Sequence, residues 1–183
     1  ISYGDNTLYE YKSPNSYKNY SLDLKIIRKN EKKDIFFHIH RGNLKIVYLK
    51  KGNLIYSTGT EELEIQFQIL ESIIEIIIKN FSETYAVDAI LSYGDVSPSI
   101  FNPFKTNVTE ILNKFFTLDQ VKKVDVLCKV CEKPLPLYVR KSLIDTADSY
   151  PVPLVYTHQG HSIVCYIDKK FDVRGVELVH ITG

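Results

Sequence analysis

Apolar residues along this chain recur with two different periods, and the periods divide it into elements. Leu22, Leu24 and Ile26 alternate with Asp23 and Lys25, and Ile35, Phe37 and Ile39 alternate with Phe36, His38 and His40. A period of two sends side chains to opposite faces, so each run predicts a strand with one buried face. The polar run Lys29–Asp34 between them reads as a hairpin loop. Gly42-Asn43 and Gly52-Asn53 then introduce the β-type runs Leu44–Leu49 and Leu54–Ser57. Gly-Asn between short runs of this kind is the signal of consecutive hairpins.

The period changes after Ser57. Leu63, Phe67, Leu70, Ile74, Ile77 and Phe81 lie three or four apart, which predicts a long helix over 60–81 with one continuous apolar face. Thr60 is placed to cap it, and Glu61 and Glu62 fall in its first turn, beside the positive end of the helix dipole. Past Ile73 the apolar positions spread around the circumference, so this helix needs cover on more than one side. Leu63–Ile69 also alternates strictly and can read as strand, which leaves Ile69–Phe81 as the firmest helical part.

Ala86–Tyr93 reads as a strand and Gly94–Pro103 as an irregular loop. Asn107-x-x-Glu110 is a capping-box pattern ahead of Ile111, Leu112, Phe115 and Phe116, hence a second helix over 107–117. Val124–Leu127 is a short strand running into Cys128-Lys-Val-Cys131, and Pro134 and Pro136 argue against regular structure after it. Leu137–Asp148 reads as a helix. Val152–His158 and His161–Asp168 flank Gln159-Gly160 as a tight hairpin, and Phe171–Ile181 is a third strand. The expected fold is α+β: an antiparallel meander covered by a long helix, then a small C-terminal β-α-β-β-β module. The expected divisions are a Tyr-rich N-terminal arm over 1–20, an α+β domain over 21–120, and the module over 121–183. Across residues 20–117 the order of elements resembles the small α/β scaffolds of the profilin, longin and roadblock type. That resemblance implies a scaffold and carries no activity.

Composition narrows the function classes. A net charge of +1 argues against a dedicated polyanion binder. Glu64, Glu71, Glu75 and Lys79 interrupt the apolar helix, so no membrane span is expected. Three cysteines, two of them in a C-x-x-C, fit a disulfide framework poorly, and the expected location is cytoplasmic. The chain has no phosphate-binding glycine loop, no G-x-S-x-G and no H-E-x-x-H.

One constellation carries chemistry. The thiolates of Cys128 and Cys131 can converge on one point, which suits tetrahedral zinc. If Gln159-Gly160 is a two-residue loop, His158 and His161 face each other across it and complete a four-residue site. A module of this size has a marginal core, and a structural zinc would staple it. Cys165 lies about 13 Å along the strand from His161 and belongs to the core. With only three ligands, an open position could hold water, and Glu132 or Asp168 would be the candidate bases. A redox dithiol and two ordinary cysteines beside a histidine-rich turn are the competing readings. His38-x-His40 shares a strand face without a third ligand and reads as a pair of surface histidines. Tyr3, Tyr9, Tyr11, Tyr17 and Tyr20 could anchor the arm on a partner.

The expected function is therefore a non-catalytic interaction or adaptor subunit, with a protein partner or a second copy of itself. A nucleic-acid-associated zinc protein and a metal- or thiol-dependent enzyme centred on the Cys/His cluster are the alternatives.

Overall fold

A computed structural model describes residues 1–13, 32–94 and 96–179, with the side chain of His161 excepted. The strand expected over Leu22–Ile26 lies outside these residues. The chain has mixed α and β content, with antiparallel sheets and a few helices. It divides into two compact units, Ile1–Phe115 and Phe116–Gly183.

The first unit is built on a five-stranded sheet. Its strands are β1 (Ser2–Tyr3), β2 (Asn6–Thr7), β3 (Phe36–Arg41), β4 (Leu44–Lys51) and β5 (Leu54–Thr60), in the order β2-β1-β5-β4-β3. Arg41 pairs with Leu44 and Lys51 with Leu54, so both Gly-Asn turns are two-residue loops. Gly42 and Gly52 have φ of +58° and +57°, the conformation a type II′ turn asks of its first residue. Residues 1–9 show no period in sequence, yet Ser2 pairs with Ile55, and Leu8 is buried in the core.

Cross-strand register puts Val47, Leu49 and Tyr56 on one face of the sheet, and this face meets the long helix. That helix, α1, runs over Phe67–Thr84. It starts later than the expected 60–81 because residues 54–60 stay in the sheet, with Thr60 paired to Lys45. Thr60 does not cap the helix. Its Oγ1 accepts the Glu62 N–H in a local turn at 3.1 Å, and the helix cap falls at Gln66, without a side-chain capping bond. Glu61 and Glu62 consequently lie outside the first helical turn. Lys45 fixes the connection: its Nζ donates to the Ile65 carbonyl at 2.9 Å and to that of Leu63.

Ala86–Tyr93 is not a strand but contains α2, Val87–Ser92, in which Val87, Ile90 and Leu91 recur at helical spacing. The stretch after it holds a 3₁₀ turn at Pro98–Phe101. The helix expected over 107–117 is α3, Phe104–Lys114; Asn107 lies inside it and caps nothing. Phe81 sits where these pieces converge, with ring centroids 5.1 Å from Phe104, 5.3 Å from Phe101, 5.0 Å from Tyr85 and 6.3 Å from Tyr56.

The second unit has two sheets. β6 (Val121–Leu127) and β7 (Pro134–Arg140) form a two-stranded ribbon, and a short helix α4 (Lys141–Asp145) follows. β8 (Val152–His158), β9 (His161–Ile167) and β10 (Val173–Val179) make a three-stranded sheet in the order β10-β9-β8. The element order is therefore β-β-α-β-β-β. The helix expected over Leu137–Asp148 shrinks to α4 because residues 137–140 pair with 121–124. The prolines do not prevent a strand here. Pro134 and Pro136 are two apart, so both missing N–H groups face one edge of the ribbon, and among the described residues β7 pairs with β6 alone. Val124, Val126, Leu137, Val139, Ile144, Leu154, Tyr156, Ile163 and Ile167 form one buried core with Cys128 and Cys165.

Candidate metal centre

The loop that joins β6 to β7 carries the C-x-x-C. Its geometry starts from the backbone: the Cys128 N–H donates to Lys133 O at 3.1 Å, and the Glu132 N–H donates to Cys128 O at 2.9 Å. These two bonds curl residues 128–133 into a compact knuckle. Glu132 takes a φ of +53° to close it, a left-handed position that a glycine would occupy at less cost.

The knuckle aims donors at one sulfur. The Cys131 and Val130 N–H groups hydrogen-bond the Cys128 thiol, and the side chains of His158 and Cys131 add to them. Together they outweigh burial and hold that thiol down to about 6. Donors converging on sulfur favour the thiolate, the form that ligates metal. Cys128 is fully buried and Cys131 is partly exposed.

The third member arrives from the other sheet. β8 ends at His158, whose Nε2 is sealed from solvent. Gln159 and Gly160 have φ of +46° and +78°, both positive as a type I′ turn requires, and His158 pairs with His161 across them. The ligand atoms of Cys128, Cys131 and His158 lie within 4.8 Å of one another. Around a tetrahedral zinc such atoms stand about 3.5–3.8 Å apart, so these three are near enough to share one ion. Two sulfurs and an imidazole are a donor set that suits zinc. His161 is brought opposite His158 by its backbone; its side chain is outside the described atoms.

The remaining candidates fall elsewhere. Cys165 is buried in the core, and burial pushes its thiol up to about 11. Asp168 accepts the N–H groups of Lys170 and Asp172 at 2.8 and 2.9 Å and the Arg174 Nε at 2.6 Å. The Asp172 N–H leads in holding its carboxyl below the usual range, so Asp168 is engaged in its own turn and poorly suited to act as a base. Tyr9 packs edge-on against Phe104 at 5.4 Å, Tyr3 is exposed and Tyr11 is half-buried. Tyr17 and Tyr20 lie outside the described residues.

Sequence reasoning missed one polar cluster. His38 is exposed, as expected, but it has partners: its Nε2 lies 2.6 Å from Glu71 Oε1, and its ring stacks on Phe67 at 4.3 Å. The Glu71 side chain is only 8% exposed. The signal was present, since Phe67 and Glu71 are i, i+4 on the helix face that also carries Leu70 and Ile74.

Among the described residues no helix is long and apolar enough to cross a membrane. Compared with known protein families, curated proteins and solved structures, the chain matches none.

Proposed function

We propose that this chain is a non-catalytic protein-interaction or adaptor subunit whose C-terminal unit is held together by a structural zinc. The reading rests on one observation: Cys128, Cys131 and His158 bring their ligand atoms within 4.8 Å at the end of a small core. Zinc bound there would tie the β6–β7 knuckle to the end of β8, joining the two sheets that share that core. The burial of Cys128 supports a structural role, because a sealed sulfur cannot reach an external substrate. Three thiols without a disulfide suit a reducing compartment, and the cytoplasm is the proposed location.

The test is metal content per chain in protein purified without added chelator. One zinc per wild-type chain, lost in Cys131→Ser and in His158→Ala, is the expected result. No metal in the wild type would return these residues to an ordinary turn. Including His161→Ala decides whether the fourth position belongs to that residue.

A further inference from the structure

The knuckle sits at one end of an exposed ribbon face in which apolar residues flank one charged pair. Cross-strand pairing places Lys123 with Tyr138, Asp125 with Pro136 and Leu127 with Pro134 on the ribbon face that points away from the buried Val124, Val126 and Leu137. Phe116 lies against Tyr138 with ring centroids 6.0 Å apart. Phe116 is 63% exposed, Leu127 60% and Val130 44%. The result is an aromatic pair at one end, Pro136 beside Lys123 and Asp125 in the middle, and Pro134, Leu127 and Val130 at the knuckle.

We infer that this ribbon face is a docking surface for an acidic segment of a partner protein, one that carries apolar anchors between its carboxylates. This rests on the reading above that the chain works by binding another protein. Three physical features carry it. Proline loses no rotamer freedom and a ribbon-held aromatic loses little, so these anchors bind at low entropic cost. The charge is asymmetric within the unit. Residues 116–141 hold six basic and three acidic side chains, whereas residues 142–179 hold three basic and five acidic. Asp119 and Asp125 are already matched by Lys141 and Lys123, while Lys129 and Lys133, at the knuckle, have no ion pair among the described residues. Glu132 lies between these two lysines, so the knuckle keeps a surplus of one positive charge, and its complement is a carboxylate-bearing chain.

Two other modes fit less well. Extending the ribbon from the β7 edge would need backbone donors that Pro134 and Pro136 lack. Single-stranded nucleic acid would use the aromatic pair and the lysines, but Phe116 and Tyr138 stand at one end of the ribbon and Lys129 and Lys133 at the other, and the aliphatic residues and prolines between them offer bases no ring to stack on.

The experiment uses the full chain, zinc content measured in every sample. Phage-displayed random peptides of about twelve residues are selected on wild type and counter-selected on the Phe116→Ser, Leu127→Ser double variant. Enriched peptides with net negative charge and apolar residues are expected. Their affinity should fall about tenfold in the double variant and by a similar factor in Lys129→Glu, Lys133→Glu. If the double variant loses its circular dichroism spectrum, Leu127→Ser alone replaces it. Enrichment of basic or neutral peptides, or none that depends on the wild-type face, overturns the inference. So does saturable binding of a labelled oligouridine that the double variant abolishes, or a dimer by sedimentation that the same variant dissociates. A wild type that holds zinc but enriches no peptide defeats the docking surface alone. Peptide binding retained in a chain without zinc defeats the structural zinc alone.

Discussion

Replacing Phe81 by alanine probes the packing of the first unit at its point of convergence. The side chain is 0% exposed, and its ring meets Tyr56 from β5, Tyr85 just beyond α1, Phe101 from the 3₁₀ turn and Phe104 from α3. Deleting a buried phenylalanine costs about 3–5 kcal/mol through lost transfer energy and the cavity left behind. Ring pairs add about 0.5–1.5 kcal/mol each beyond area burial, and four such pairs place Phe81→Ala at the upper end, about 4–5 kcal/mol. Four separate elements border the gap, so none can close it alone. Phe81→Leu keeps most of the volume and loses the ring geometry, for an expected cost of about 1–2 kcal/mol. Urea unfolding followed by circular dichroism reads the difference. With a slope of about 1–3 kcal/mol per molar, the alanine midpoint should fall by about 2 M. An alanine cost under about 2 kcal/mol, indistinguishable from that of leucine, would refute the idea that this ring cluster organises the unit.

Other substitutions test separate pieces. His38→Ala removes a partner from a carboxylate that is almost enclosed and should cost about 1–3 kcal/mol, with His38→Gln recovering part of it in the same denaturation assay. Gly52→Ala should cost about 1 kcal/mol, purely through its φ of +57°, because an added Cβ there meets nothing within 4 Å. A Tm unchanged from wild type would contradict that. The Cys128 thiol titrates near 6 when folded and higher when unfolded, so the folded state gains stability as the thiolate. That gain is complete above the unfolded value near 8.5 and disappears as pH falls through 6. The unfolding midpoint of metal-free protein should accordingly drop from pH 9 to pH 6, and Cys128→Ser should remove that part of the slope. With a thiol reagent, Cys131 should react first in the metal-free native protein, and Cys165 should react only on unfolding.

The local turns were the most legible part of the sequence. Gly42-Asn43, Gly52-Asn53 and Gln159-Gly160 each demand a positive φ, and that demand is met by two residues without help from the rest of the fold. The meeting of Cys128, Cys131 and His158 was legible for the same reason, since both connections that carry them are tight. Boundaries set by distant partners were not legible. Thr60 looks like a cap in isolation, but Lys45 on the neighbouring strand holds it in the sheet. Leu137–Arg140 has a helical flavour, but residues 121–124 claim it as strand. Pro134 and Pro136 looked like breakers because their spacing acquires meaning only once β7 is known to pair with β6 through its other edge. The partner of His38 was not legible because Glu71 comes from a helix 33 positions away.

The arrangement of the candidate centre also bears on how the second unit would assemble in time. Cys128 and Cys131 sit in one hairpin connection and His158 at the mouth of another. Each half can form from its own neighbours within microseconds, before the two have met. What remains is to bring the halves together across the chain from Cys131 to His158, a closure worth about 3.5 kcal/mol of chain entropy by the cross-link relation. A metal ion captured there would act late, as a latch on two prefabricated corners, and its removal should raise the unfolding rate far more than it slows refolding.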